Sequence, residues 1–433
     1  MYTGSGFTDW EIGDVEVHVH DGVYHLFHLI IPNHDYIAHA VSKDGIAWSR
    51  VKNAMFVGDP GEWDDDMLWT MDVADCEDGT FEMFYTGLQL EERGVNQRVG
   101  RAVSKDLINW DKTFPGDLPI ESEAPHYEDV NNNPRTWLSF RDPFLYKNKE
   151  LEYLLICARA SFGPVYRRGC VAAYKRTNEG FQPCKPILFP LAYDDIECPS
   201  LIELEGRFYL IGSIREDIKV RYWHSDSFDG EYQSFHHDVL MPQGNYAARV
   251  VKDGNHNLVY GFYFLDRKVN SKRVLPPPKE LAVDSEGKLY LKSFYKLLDK
   301  NKIITPHLAE FKKIFPKIDK KISNVDKALN AVKLINSNLI LKGPKTIIAS
   351  YDKKVVINSK SSPELATIGS GDVLSGLIVS LMGKKKMNPF LAGCAAVWLH
   401  SDIARNFKTG LIAEDIVTGI PASLTRLKKW KNY

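Results

Sequence analysis

One ten-residue segment occurs twice in nearly the same form. His39-Ala40-Val41-Ser42-Lys43-Asp44-Gly45-Ile46-Ala47-Trp48 is echoed by Arg101-Ala102-Val103-Ser104-Lys105-Asp106-Leu107-Ile108-Asn109-Trp110. Each copy closes a block of the same layout: a short strand, an Asp-Gly-like turn, a strongly apolar second strand, a third strand, then the Ser-Lys-Asp turn and Trp. The second strands read Val23–Phe27, Phe81–Tyr85, Leu151–Leu155, Arg207–Ile211 and Asn257–Phe262. Aromatic and β-branched residues bounded by turn signals are strand chemistry. Five blocks with a period of roughly 45–65 residues predict a mainly β fold, a five-bladed β-propeller. A β-sandwich would accommodate the strands but not the period.

The repeat stops near residue 296, and composition changes with it. Residues 301–433 hold 22 Lys and Arg against 9 Asp and Glu, whereas residues 1–300 hold 33 against 47. The near-neutral total of -1 hides this asymmetry. Of the 50 aromatic residues, 42 lie in the first 300. After the break, helix patterns (308–315, 323–335, 371–382, 389–407) alternate with strand patterns (338–341, 345–349, 354–357), which predicts an α/β domain. The expected domains are residues 1–296, the propeller, and 297–433, a partial α/β domain joined through 297–304.

The blocks can be compared with one another. Asp14, Asp72, Asp142 and Glu197 each stand near the start of a block's first strand. That strand is the innermost of a propeller blade, so the four carboxylates are expected at equivalent positions around one funnel. Crowded carboxylates cannot all ionise, so one becomes a proton donor near neutral pH. A carboxylate nucleophile beside a protonated partner is the equipment of a retaining glycosidase, and a wider pair that of an inverting one. Trp69 at the funnel mouth is suited to stack on a sugar.

Phe140-Arg141-Asp142-Pro143-Phe144, Ile196-Glu197-Cys198-Pro199, Met83-Phe84-Tyr85-Thr86-Gly87 and the Ser-Lys-Asp segment resemble the motifs of glycoside hydrolase family 32, the invertases and fructan hydrolases. The resemblance covers about residues 9–295. It implies that Glu197 is the general acid/base and that Asp142, with Arg141 beside it, holds sugar hydroxyls and stabilises the transition state. Asp14 is the best match to the nucleophile. Trp69, Asp72 and Arg141 are the expected substrate-binding residues, and the expected substrate is a small β-fructofuranoside-like sugar. The family's Trp-Met-Asn-Asp-Pro-Asn-Gly stands here as Trp10-Glu11-Ile12-Gly13-Asp14-Val15-Glu16, and Trp69-Thr70-Met71-Asp72 also departs from the family pattern. Both changes fall at the sugar subsite and leave the sugar open. The resemblance implies no cofactor.

Near the C-terminus, Gly369-Ser370-Gly371-Asp372 opens an apolar helix. Backbone N–H groups at such a start favour an anion. Thr305-Pro306-His307-Leu308-Ala309-Glu310-Phe311, Leu341-Lys342-Gly343-Pro344-Lys345-Thr346 and Glu364–Leu374 together are similar to the nucleotide-dependent NAD(P)H-hydrate dehydratases, which have a ribokinase-like fold. This similarity covers about residues 297–425. It implies an adenine nucleotide, ADP or ATP, at Lys342, Gly343, Thr346 and Gly371, and the hydrated nicotinamide at His307 and Asp372. The family domain is about twice as long as the stretch present. The missing half would leave a sheet edge unpaired, so a homo-oligomer or a partner chain is expected to cover it, unless the stretch is a remnant or a product of gene fusion.

Other features read as structural. His18 and His20 alternate on one strand without a third ligand, so no metal site is expected. Trp48 and Trp110 are expected to pack between blades, and His236-His237 to lie in a blade-edge loop. The six scattered cysteines describe neither a disulfide scaffold nor a zinc site. The start of the chain lacks a signal-peptide pattern, and no apolar run reaches the roughly 20 residues needed to cross a bilayer. A cytoplasmic location is therefore expected, with neither nucleic acid nor membrane as partner. The leading functional expectation is a retaining glycosidase. The alternatives are a dehydratase activity of the C-terminal part and a non-catalytic sugar-binding propeller.

Overall fold

The structure is a computed structural model that describes residues 2–4, 10–112, 119–265, 272–294, 298–407 and 409–430. The chain divides into two compact units, 1–294 and 295–433. The junction expected at 296–297 lies outside the described residues.

The first unit is a five-bladed propeller. Five antiparallel sheets follow in chain order, each built around strands that run from the inside out. The inner strands are Glu11–His20, Met67–Asp75, Phe140–Lys147, Glu197–Leu204 and Asn245–Asp253. Each touches the inner strands of both neighbouring blades, and the first touches the fifth, which closes the ring. The second strands are almost wholly buried, as in Phe81–Leu88 and Val23–Ile31. Their faces fill apolar layers between successive blades. One layer draws Phe27 and Ile37 from blade 1 against Met71 and Met83 from blade 2. The next draws Phe84 and Val99 against Phe140 and Leu154. Trp110 packs against Phe27 and Trp48 against Tyr260, both as ring contacts between blades. Tyr2 pairs with Leu275 of blade 5, tying the start of the chain to the last blade.

The two repeated turns are identical in mechanism. Ser42 Oγ accepts from the backbone N–H groups of Asp44 and Gly45, and Asp44 Oδ1 accepts from those of Ile46 and Ala47. Ser104 and Asp106 do the same for Asp106, Leu107, Ile108 and Asn109. Such side-chain acceptors fix a turn without help from the rest of the fold, which is why the motif repeats so literally.

The inner strands carry the feature that makes the site. Each is interrupted by a β-bulge at the same place. Gly13-Asp14, Trp69-Thr70, Asp142-Pro143, Cys198-Pro199 and Ala247-Ala248 each stand as two residues where the partner strand has one. A bulge bends the strand and re-aims its side chains. Asp142, Cys198 and Ala247 have φ of 60°, 49° and 51°, a left-handed conformation that non-glycine residues seldom adopt.

This register corrects one expectation. The four carboxylates are not at equivalent positions. Glu197 precedes its bulge, Asp142 is the first bulge residue, Asp14 the second, and Asp72 lies two residues beyond. The equivalent of Asp72 is Glu16. Both are buried, at 4% and 6% exposure, behind the bulges. Arg249, 2% exposed, lies between the layers, with its Nε 3.7 Å from Glu16 Oε2 and its Nη2 donating to the Pro143 carbonyl at 2.8 Å. Burial pushes the Asp72 carboxyl up to about 6, opposed by Arg249 and by the Leu145 N–H that donates to it.

The second unit is a three-layer α/β arrangement. Its strands are Ile303–Ile304, Asn338–Leu341, Thr346–Ala349 and Val355–Asn358, in that spatial order. The first pair is parallel and the others antiparallel. Helices α1 (Leu308–Ile314) and α2 (Asn324–Ile335) bury Phe311 and Val332 against Leu339, Leu341 and Ile347. Helices α3 (Ser370–Lys385) and α4 (Pro389–Phe407) cover Ile340 and Ile348 on the opposite face. Helix α5 (Ala413–Trp430) was not expected from the sequence. The sheet edges are short, two residues at one side and four at the other, and Val356 and Ile357 on the outer strand are 42% and 49% exposed. Among the described residues no helix is long and apolar enough to cross a membrane.

Replacing Arg249 by Met leaves Glu16 and Asp72 buried without their cation. The expected cost is about 3–5 kcal/mol of stability, read by urea unfolding. Adding Glu16→Gln recovers part of it. Unchanged unfolding in the single variant would rule out this role.

Candidate active site

A cavity of about 1070 Å³ opens where the five bulges converge. Every blade lends it residues from its bulge window: Gly13 and Asp14, Trp69, Arg141 and Asp142, Glu197, and Tyr246. Trp69, Arg141, Asp14, Asp142 and Glu197 are thus brought together as the sequence predicts. Asp72 is not on the lining, because the residues beyond the bulge turn back into the protein. Its contact is with the backbone of blade 3 rather than with the cavity.

The three carboxyls are differently held. Asp14 accepts from the Thr70 hydroxyl. Asp142 Oδ2 accepts from the Cys198 N–H at 3.0 Å, and its own N–H donates to Thr86 Oγ1 at 3.1 Å. Cys198 Sγ lies 3.7 Å from Oδ2 of both aspartates, and one acceptor atom of each aspartate falls with that sulfur inside a 4.8 Å cluster. Glu197 is bound through both oxygens. Arg141 Nη2 donates to Oε1 at 2.6 Å and the Tyr246 hydroxyl to Oε2 at 2.5 Å. Arg141 is itself fixed, donating also to Asp195 at 3.2 Å and to Ser139. Arg159 shares Asp195 at 3.0 Å, and its guanidinium sits 4.1 Å from the centre of the Trp137 ring.

Burial raises all three acids above their ordinary values, and what opposes it differs. For Asp14 the Thr70 hydroxyl opposes while the charge of Glu197 adds. For Asp142 it is the Arg141 charge that opposes and Asp14 that adds. For Glu197, Arg141 and the Tyr246 bond oppose while Asp142 adds. Burial and mutual repulsion thus both favour the protonated forms of these carboxyls, the direction that acid catalysis requires.

Tyr246, Trp137, Cys198 and Thr70 were not singled out from the sequence. Tyr246 occupies in blade 5 the position of Glu197 in blade 4, a relation visible only once the bulges are aligned. His18 lies 3.3 Å from Asp75. Neither His18 nor His20 belongs to a group of three metal-capable side chains among the described residues.

The second unit has its own cavity of about 620 Å³, which gathers His307, Lys342, Gly343, Thr346 and Gly371. Helix α3 begins at Gly369 (φ 82°) without a side-chain cap. A Cβ at Gly371 would stand 3.1 Å from Lys342 Nζ, so glycine leaves room for the ammonium over the helix start. His307 caps helix α1, its Nδ1 accepting from Ala309 and Glu310 N–H groups at 3.2 Å each. Asp372 is exposed on the first turn of α3 and is not on the lining. His400, missed in the sequence, lines the cavity and contacts the Ser370 carbonyl through Nε2 at 3.0 Å.

A propeller whose axial cavity holds a carboxyl cluster fits a glycoside hydrolase. The chain belongs to glycosyl hydrolase family 32: the family's N-terminal-domain model matches residues 16–293. A second model, the NAD(P)H-hydrate dehydratase family, matches residues 271–421, so the C-terminal region is a dehydratase-like domain. Its matched stretch begins inside blade 5, ahead of the structural division. Among solved structures, a levansucrase of B. megaterium has a TM-score of 0.53 at 13% identity, covering 65% of this chain and 85% of that one. A family 32 β-fructofuranosidase of Bombyx mori has a TM-score of 0.52 at 18% identity, covering 65% and 62%. Among curated proteins, an ADP-dependent (S)-NAD(P)H-hydrate dehydratase of Neisseria meningitidis is 36% identical over 126 residues, 27% of this chain and 42% of that protein. A bifunctional NAD(P)H-hydrate repair enzyme of Gloeobacter violaceus is 36% identical over 126 residues, 24% of its length. The chain thus spans less than half of these two relatives.

Removing the Tyr246 hydroxyl takes away a bond that holds the Glu197 pKa down. In Tyr246→Phe the Glu197 proton is therefore retained to higher pH. The alkaline limb of the kcat/KM profile is expected to move upward, and an unmoved or lowered limb would exclude the coupling.

Proposed function

We propose that the propeller hydrolyses a β-fructofuranoside with retention of configuration. The observation that carries this reading is the convergence of Asp14, Asp142 and Glu197 in one cavity, with Glu197 gripped by Arg141 and Tyr246. Glu197 donates a proton to the leaving-group oxygen. Asp14 attacks the anomeric carbon, the electrons of the C–O bond leave with the protonated oxygen, and a glycosyl ester forms. Glu197 then takes a proton from water, which displaces Asp14. Asp142 and Arg141 bind sugar hydroxyls and stabilise the positive charge that develops at the anomeric centre. The raised Glu197 supports the acid role. The Thr70 hydroxyl, which favours the ionised form of Asp14, supports the nucleophile role. The family 32 match supports the sugar class, and a propeller of the same fold from Bombyx mori has been solved with sucrose.

The test is hydrolysis of sucrose and short fructans by the full chain. Glu197→Gln is expected to lower kcat roughly 10²–10⁴-fold, and NMR of the first product to find the β-anomer. Equal rates in wild type and variant, or an inverted first product, would defeat the respective part of the reading.

A second reading concerns the C-terminal cavity, where a lysine over a helix start faces Gly343 and Thr346. Such a site suits the phosphates of an adenine nucleotide. Its dehydratase activity requires a substrate half-site that Asp372, exposed as it is, does not supply alone. Calorimetric titration of ADP into the full chain should give saturable binding that is lost in Lys342→Met. An absence of heat in the wild type would remove this reading.

A further inference from the structure

The propeller cavity carries more positive charge than a neutral fructoside uses. Arg93, Arg141, Arg215 and Arg273 all line it, against the three carboxyls. Arg141 already donates to Glu197, Asp195 and Ser139. The other three form no ion pair with any described residue, a condition set apart from the many arginines of this unit that do, such as Arg98, Arg168 and Arg221.

Arg273 is the most tightly prepared of them. It lies on the short strand Arg273–Val274, opposite Phe264. Its backbone N–H donates to Glu11 Oε2 at 3.1 Å, which anchors the strand to blade 1. Its guanidinium stands 5.4 Å from the centre of Phe262 and 5.3 Å from that of Phe264, two rings that meet edge to face at 5.2 Å. The Nε atom is buried and has no hydrogen-bond partner. A guanidinium held between rings, its Nε out of water and its charge unpaired, is costly to keep empty. Its fork of donors matches a phosphate or carboxylate through two bonds at once. Arg215 and Arg93 are exposed at the rim, where they draw an anion inward and add a second grip.

We propose that the substrate carries an anionic group, a phosphate or a carboxylate, and that Arg273, seconded by Arg215 and Arg93, is the specificity-determining receptor for it. This rests on the glycosidase reading of the same cavity and narrows it to acidic fructosides. The scissile bond stays with Asp14 and Glu197, and the arginines act on binding.

The test compares kcat/KM of the full chain for four fructosides: sucrose, sucrose phosphorylated at the fructosyl C6 hydroxyl, sucrose phosphorylated at the glucosyl C6 hydroxyl, and a fructoside with a uronic acid as leaving group. At least one charged substrate is expected to exceed sucrose by about tenfold or more, and which one does so assigns the side that Arg273 faces. Because Arg273 also lowers the Asp14 carboxyl, each variant is measured across its own pH optimum. The ratio of charged to neutral kcat/KM is expected to collapse in Arg273→Gln, to survive in part in Arg273→Lys, and to fall further when Arg215→Gln is added. Equal kcat/KM for all four substrates would overturn the proposal, as would a preference that survives Arg273→Gln and Arg215→Gln together. Calorimetry of the three charged fructosides against sucrose separates this proposal from the reading beneath it. If wild type hydrolyses no fructoside, the glycosidase reading fails. Charge-dependent binding of any one of them that is lost in Arg273→Gln still upholds the anion receptor, and its absence for all three in wild type rejects it.

Discussion

Five inner strands break their hydrogen-bond ladders at the same point, and the site depends on that shared interruption. In an unbroken ladder successive side chains alternate between two faces. Here one extra residue in each blade shifts that alternation, so that Glu197, Asp142 and Asp14 reach one cavity from three different strand positions. The cost appears in the left-handed backbone of Asp142, Cys198 and Ala247, the kind of strain that a rigid surrounding has to hold. The surrounding is the stack of apolar layers between blades, with Thr86 and Ser213 accepting the N–H groups of Asp142 and Ala247. Packing and the shape of the cavity are thus joined at the bulge: neighbouring strands satisfy the freed N–H groups of Asp142 and Ala247.

Charge is layered about the same ring. Behind the bulges lies the set Glu16, Asp72 and Arg249, sealed from the cavity. At the bulges lies the set Asp14, Asp142 and Glu197, where burial raises every acid and Arg141 pulls Glu197 back. Toward solvent lie Arg93, Arg215 and Arg273, which form no ion pair with any described residue. Arg249 is the element that links the first two layers, since its field lowers Asp14, Glu16, Asp72 and Asp142 alike. Exchanging it therefore bears on the proton affinities of these acids as well as on stability. The triad Arg141–Asp195–Arg159 lies beneath Glu197, and the Arg159 guanidinium against the Trp137 ring helps to fix it there.

The blades were legible in the sequence because their signals are local. Alternation in Phe81–Tyr85, Asp-Gly turns and the Ser-Lys-Asp turn each fold from residues within a few positions of one another. Asp142 and Glu197 could be picked out because each stands in a short acid motif that also contains proline, Asp142-Pro143 and Glu197-Cys198-Pro199, and both line the cavity. Register was not legible. A single inserted residue per strand leaves no mark on composition or period, so Asp72 looked equivalent to Asp14 when its structural counterpart is Glu16. Tyr246 and Arg273 were hidden for a related reason. Blade 5 has no carboxylate at its bulge, and a search for acids passes over the blade that supplies a phenol and a guanidinium instead. In the second unit α5 was missed although it is amphipathic, because Pro421 lies within it and reads as a helix stop.

The C-terminal unit follows a different logic from the propeller. Its sheet has both faces covered, and its alternating residues divide cleanly: Leu339, Leu341 and Ile347 pack toward α1 and α2, Ile340 and Ile348 toward α3 and α4. A fragment cut at random from a larger sheet would leave one of these layers open. The expected long bare edge is accordingly reduced to strands of two and four residues, short enough to limit edge pairing. The cavity that collects Lys342, Gly343, Thr346 and Gly371 is lined by the loop after Asn338–Leu341, the start of α3, the segment 361–367, His307 and residues of α4 such as His400. Asp372, by contrast, faces solvent and stands off the lining. The glycine-rich start of α3 therefore contributes Gly371 to the cavity but not the acid that follows it, because successive residues of a helix point in different directions.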